Sequence, residues 1–199
     1  MELVEKNMKT STEIESPILT VIQKRRSKRA YADRPVEPEK IHSFFEAARW
    51  APSSMNEQPW VYLYATKEQA EMWNGIFESL NESNQVWVKD SPLLVVSLVR
   101  KNFTRNNNYN SSAKYDLGGA NAFLSLQATE LGLNVHQMGG YNPQIIRQNL
   151  NIPDSYELGV IMAIGYPGEP DALPEPLKQR ELAQRVRLTQ EEFVMNKSF

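Results

Sequence analysis

The chain has 199 residues, 41% of them hydrophobic and 23% charged, with a formal net charge of -2. That is one domain of ordinary size, long enough to bury a core unaided. The charge argues against a general affinity for nucleic acid or anionic membrane, and the absence of cysteine excludes a disulfide framework, a thiolate nucleophile and thiolate metal ligands.

Residues 1–15 carry little apolar periodicity and read as an N-terminal arm, followed by a single domain over residues 16–199. The start is polar and no run approaches the ~18 apolar residues of a membrane span, so a cytoplasmic location is the expectation. Ser16 offers an N-cap and Pro17 a first helical position, with Ile18, Leu19 and Ile22 on one face. A second helix is predicted from near Pro38, burying Ile41, Phe44, Phe45 and Ala48, and stopping before Pro52. "WVYLYAT" alternates as a strand, and Thr66 with Gln69 forms a capping box for a helix over about 67–81. "PLLVVSLV", residues 92–99, is apolar on both faces, which marks a central strand covered by helices on both sides. After a long polar loop, residues 113–131 read as the longest helix, with Leu117, Ala120, Leu124, Ala128 and Leu131 inward and Gly132 as its cap. "NVHQMGGY" begins as a strand and ends in a glycine turn. Asn142 caps a short helix over Pro143 to Leu150, and "LGVIMAIGYP" is a second buried strand. From about residue 169 a proline-broken C-terminal extension begins. Alternating helices and strands predict a three-layer α/β arrangement.

Several chemistries lack residues to carry them. His42 and His136 are far apart in sequence and read as structural. No GxSxG elbow, GxGxxG or GxxxxGK[ST] occurs, so any phosphate must be held by side chains. "RRSKRAY" places Arg25, Arg26, Lys28 and Arg29 around Ser27 at a helix end. Cations there complement the helix macrodipole. Four of them within five residues also repel one another unless an anion sits among them. "QMGGY" could be a simple turn, or backbone laid bare for a flat ligand and its hydrogen bonds.

Together these stretches resemble the nitroreductase family of flavin mononucleotide (FMN) enzymes. "RRSKRAY" looks like its N-terminal arginine-rich motif, "APSSMNEQPW" like its most recognisable signature, and "KDSPLLVV", "QMGGY" and "IGYPGE" recur in the same order. The resemblance runs from about Ser16 to Arg187. It implies a three-layer fold with a mixed β-sheet flanked by helices, and an intertwined homodimer with one FMN in each of two interface sites. By position, Arg25, Arg26 and Ser27 would hold the phosphate and ribityl end, and Arg29 would lie near the pyrimidine edge of the isoalloxazine. Pro52, Ser53, Ser54 and Asn56 would come from the partner chain, with Asn84 reaching the same edge. Gln137, Met138, Gly139 and Gly140 would pack over the ring, a backbone N–H of this turn facing flavin N5. Lys178 and Arg180 would return from the tail to the phosphate, although "ELAQRV" departs there from the family's usual continuation. The implied activity is ping-pong transfer of reducing equivalents from NAD(P)H to nitroaromatic, quinone or similar small-molecule oxidants. Alternatives are a flavin-modifying or dehalogenating member, an FMN carrier or sensor without turnover, or an anion-binding protein with no flavin. No catalytic side chain and no metal is implied, since the cofactor carries the chemistry.

Overall fold

The computed structural model of the protein describes residues 8–198; the first seven positions of the expected arm lie outside the described residues. In chain order the elements are β1 (Thr10–Ser11), α1 (Thr20–Lys24), α2 (Pro38–Arg49), β2 (Trp60–Thr66), α3 (Ala70–Glu78), α4 (Glu82–Val88) and β3 (Leu93–Arg100). They continue with α5 (Ala113–Glu130), β4 (Asn134–Met138), α6 (Pro143–Asn149), β5 (Tyr156–Gly165), α7 (Glu175–Leu182) and β6 (Arg187–Leu188).

The central sheet has the order β2-β3-β5-β4. Its β3 is buried from Leu93 to Val99, and the two-residue period of a strand sorts these side chains onto opposite faces. Leu94, Val96 and Leu98 pack with Trp73, Ile76, Trp87 and Ile146 of α3, α4 and α6. Leu93 and Val95 pack with Ile41, Phe44 and Ala48 of α2 and with Ala120, Leu124 and Ala128 of α5. Two helical layers on one sheet give the expected three-layer α+β fold.

The sheet differs from the expectation in one respect. Every pairing within the chain, β2 with β3, β3 with β5 and β5 with β4, is antiparallel, so this chain's own sheet is not mixed. The α5 crossover separates β3 from β4, but β5 lies between them in the sheet; the helix joins non-adjacent strands and forms no parallel βαβ unit.

The local signals hold where packing supports them. Pro38 starts α2, Asn142 accepts hydrogen bonds from the Gln144 and Ile145 amides at the start of α6, and Gly132 follows α5 with φ +78°, the left-handed geometry that a helix stop favours. They fail at the first helix. Ser16 and Pro17 precede it instead of opening it: α1 begins at Thr20, after Leu19, and has no side-chain cap. Its apolar residues Ile18, Leu19 and Ile22 are exposed in the single chain, so no burial extends the helix beyond five residues. The helix predicted over 67–81 shortens to α3, although the Thr66 amide does donate to Gln69 Oε1 at 3.1 Å. The α4 helix that follows has no amphipathic signature and is anchored by Trp87 and Val88.

Thr10 and Ser11 pair antiparallel with Leu188 and Arg187. The two ends of the described chain therefore form their own short ribbon beside the main sheet. Among the described residues, no helix is long and apolar enough to cross a membrane.

Candidate functional site

Residues 25–30 belong to no helix or strand and receive their shape from the C-terminal segment. The carboxylate of Glu181, 3% exposed, accepts the Arg29 N–H with both oxygens at 3.0 Å and the Ala30 N–H at 3.3 Å. Lys28 Nζ donates to the Glu181 carbonyl and an Arg26 guanidinium N–H to the Ala183 carbonyl. In return Arg185 donates to the carbonyls of Arg25 (2.8 Å) and Gln23 (2.7 Å). From the sheet side, His136 Nδ1 lies 3.0 Å from the Lys28 carbonyl; since a carbonyl only accepts, this nitrogen carries the hydrogen. Burial lowers the His136 pKa to about 4, against the weaker raising effect of that carbonyl, so the ring is neutral near pH 7. Gly168 donates to the Ala30 carbonyl at 2.9 Å, and a Cβ there would lie 2.5 Å from the Tyr31 carbonyl carbon and oxygen. The glycine of "IGYPGE" thus serves the close approach of two chain segments.

This scaffold gathers guanidinium groups. The Arg25 pKa is lowered first by burial and then by Arg185, Arg187 and Arg26, and Arg185 is lowered by burial, Arg187 and Arg26. None of these four forms an ion pair among the described residues. A partly buried cationic cluster whose guanidinium groups form no ion pair is a site that an anion would stabilise. Ser27 stands beside it, its hydroxyl accepting from Arg25 at 3.3 Å.

Two adjoining cavities share Ile22 and Arg25. One, of about 300 Å³, holds Arg185 and Arg187. The other, of about 480 Å³, is lined by Ser27, by Ala122, Ser125 and Leu126 of α5 and by Val135 and Gln137 of β4. Gln137 donates to Ser125 Oγ at 3.0 Å. The cationic cluster thus opens into a partly apolar chamber floored by a strand and a helix, a combination that suits a planar heterocycle carrying a phosphate.

Of the residues expected from sequence, Arg25, Ser27 and Gln137 meet here. Arg26 flanks the cluster, and Arg29 lies on the segment's far side with its guanidinium carbon 5.9 Å from the Trp87 ring centroid. Met138 lies apart from Gln137. Strand alternation turns its side chain, 3% exposed, into the core on the face opposite Gln137, so it offers a planar ligand only its backbone. Lys178 is held by Asp171 at 2.7 Å and Glu175 at 3.7 Å and Arg180 is exposed on α7, while the tail cations beside Arg25 are Arg185 and Arg187. The signal that could have found them is the alternation in "RVR", which sends both side chains to one side of an extended segment.

Gly139 and Gly140 end β4, and the Gly140 carbonyl accepts from the Asn81 amide at 3.1 Å and from Asn84 Nδ2 at 3.0 Å. Asn84 therefore braces the glycine turn. Pro52, Ser53, Ser54 and Asn56 line neither cavity of their own chain. They sit on a connection with left-handed Met55, Asn56 and Gln58, at φ 55°, 54° and 51°. It is held by the Ser54 amide on Asp116 Oδ2 (3.1 Å) and the Gln58 amide on Ser53 Oγ (2.9 Å). Asp116, on α5 and buried, was not foreseen from sequence. Large apolar side chains surround this region on the outside, with Trp50 70%, Met55 67% and Tyr115 86% exposed.

The profile of the nitroreductase family matches residues 22–166. A solved structure described as an oxidoreductase containing FMN superposes with a TM-score of 0.88 at 30% identity, over 94% of this chain and 95% of that one. A nitroreductase family protein from Clostridium difficile 630 superposes with a TM-score of 0.71 at 29% identity, over 90% and 97% of the two chains. An Archaeoglobus fulgidus protein provisionally named as an NADH dehydrogenase/NAD(P)H nitroreductase is 29% identical over 158 residues, which is 75% of this chain and 84% of that protein.

Proposed function

The chain belongs to the nitroreductase family, and we propose that it is an FMN-dependent oxidoreductase that draws on NAD(P)H and reduces nitroaromatic, quinone or similar acceptors by a ping-pong mechanism. The observation that carries this reading is the convergence of Arg25, Ser27, Arg185 and Arg187 at the mouth of the chamber that contains Gln137. These residues fit FMN: a guanidinium cluster engaged in no ion pair for the phosphate, and a strand-and-helix floor for the ring.

FMN held here would supply the electron-transfer chemistry between NAD(P)H and the acceptor. Arg25, Ser27, Arg185 and Arg187 would bind the phosphate, and Arg26 would add to the potential around them. Arg29 would stabilise negative charge at the pyrimidine edge. Gln137 and the Gly139–Gly140 backbone would orient the ring from the β4 side, with Asn84 bracing the turn. Pro52, Ser53, Ser54 and Asn56 would serve the site of a second copy of the chain, since they line neither of these two cavities in their own. The exposed Trp50, Met55 and Tyr115 nearby support an interface there, because apolar surface of that kind on a soluble chain marks a contact. No protein nucleophile or general base is required.

The test is spectroscopic. The purified protein should show flavin absorbance, lose it on anaerobic addition of NAD(P)H, and regain it when a nitroaromatic or quinone is added after the nucleotide has been removed. A flavin that NAD(P)H does not bleach would point to a carrier, and a protein that takes up no FMN would refute the reading.

A further inference from the structure

The arm closes the arginine end of the cleft from outside. The Lys9 carbonyl accepts from the Thr189 amide at 3.1 Å, and Thr10 and Ser11 pair with Leu188 and Arg187. The Lys9 amide donates to Glu192 Oε1 at 3.2 Å, and its ammonium lies 2.8 Å from Glu191 Oε1. After Ser11, whose hydroxyl accepts the Glu13 amide at 2.9 Å, the chain turns and is fastened again where the Gln190 amide donates to Glu15 Oε2 at 2.9 Å. Residues 11–16 thereby form the wall of the 300 Å³ cavity that faces Arg25, Arg185 and Arg187. The inner side of this cavity is cationic and its outer wall carries Glu13 and Glu15.

Such a cavity discriminates between anions by where their charge ends. A phosphate monoester ends at its phosphorus, carries a charge of about -1.5 to -2 near neutral pH, and needs only the arginine side. A dinucleotide continues from the same phosphorus through a second phosphate into ribose and adenine. Its path outward meets the arm, and its second phosphate meets two carboxylates, a juxtaposition that disfavours binding. Resting on the FMN reading above, we propose that residues 8–16 act as a selectivity strap: the arm ends the cleft after one phosphate, so the protein takes FMN and refuses FAD. The fastenings are solvent-exposed, and exposed pairs contribute only ~0–1 kcal/mol each, so the strap can be loosened without unfolding the domain.

The experiment titrates apoprotein with FMN, FAD and riboflavin, following flavin fluorescence, in the full-length chain and two double variants. Lys9→Glu with Glu15→Ala removes the ion pair to Glu191 and the acceptor of the Gln190 amide; Glu13→Gln with Glu15→Gln keeps the course of the arm and neutralises its wall. In each, the ratio of the FAD to the FMN Kd should fall about five- to tenfold relative to wild type, with riboflavin affinity unchanged. A ratio that stays within about twofold of wild type in both variants, while wild type binds FMN, overturns the strap and leaves the FMN reading intact. Wild-type protein that binds none of the three flavins overturns both.

Discussion

Replacing Glu181 tests the claim that the tail shapes the arginine segment. Its carboxylate is almost fully buried and accepts two consecutive amides, Arg29 with both oxygens at 3.0 Å and Ala30 at 3.3 Å. In Glu181→Ala both N–H groups lose their acceptor, and a buried donor left unsatisfied costs about 1–3 kcal/mol. With partial relief from entering water, the sum is about 3 kcal/mol. Glu181→Gln keeps one carbonyl oxygen for these amides and loses mainly the charge assistance, so it should cost about 1 kcal/mol. For a chain of this length each kcal/mol moves the melting temperature by about 2–4 °C, which predicts a fall of about 6–12 °C for alanine and about 2–4 °C for glutamine. The assay is thermal unfolding at fixed protein concentration and fixed free flavin, because anything that binds the native state raises the apparent stability. FMN affinity should follow the same order, alanine below glutamine below wild type, since residues 25–30 have no regular structure to preserve their shape alone. An alanine variant that melts within about 2 °C of wild type, less than one kcal/mol, would refute the reasoning.

Which tail cations serve the phosphate is tested by comparing Arg185→Ala with Lys178→Ala. The first removes a cation of the cluster and two hydrogen bonds to residues 23 and 25, and should weaken FMN binding about ten- to hundredfold, as loss of charge-assisted bonds does; the second should leave the Kd nearly unchanged. His136→Gln should flatten the pH dependence of stability. The histidine's folded pKa of about 4 lies below its ordinary 6.5, so between these values the unfolded chain binds more protons. Its stabilising contribution is complete above about pH 6.5, falls as pH drops towards 4, and is on the order of 2 kcal/mol; urea titrations at pH 7 and 4.5 would measure the difference in both proteins. Gly168→Ala should destabilise by about 3 kcal/mol, since its Cβ meets the Tyr31 backbone at 2.5 Å and backbone cannot move aside as a side chain can; a melting curve reads this directly. Arg29→Ala should lower the midpoint potential of bound flavin, measured by dye-coupled titration, because a cation near a group that gains negative charge favours its reduction.

The sequence determined the elements whose stability is local or whose burial leaves a periodic trace. Residues 93–99 are apolar at every position but Ser97, and no arrangement but a strand covered on both faces hides them all. Leu117, Ala120, Leu124 and Ala128 repeat at helical spacing, and Asn142 followed by proline starts a helix by hydrogen bonding within its own first turn. The same legibility extends to Arg25, Ser27 and Gln137, since four cations within five residues beside a hydroxyl, and a bare glycine turn after a strand, are unusual enough to mark a site. Tertiary structure decided the rest. The family resemblance placed Gln137 and Met138 together over the ring, and the pleat of the strand sends their side chains to opposite faces. Lys178 and Arg180 read as tail cations of the phosphate, but Lys178 found nearer carboxylates in Asp171 and Glu175, and the extended segment beyond α7 carried Arg185 and Arg187 to Arg25 instead. The fold buries Glu181 beneath the amides of residues 29 and 30, a contact that its local sequence does not mark. Which cation meets the cluster, and which acid holds it, depends on contacts more than 150 residues apart along the chain, and no local pattern encodes a partner at that distance.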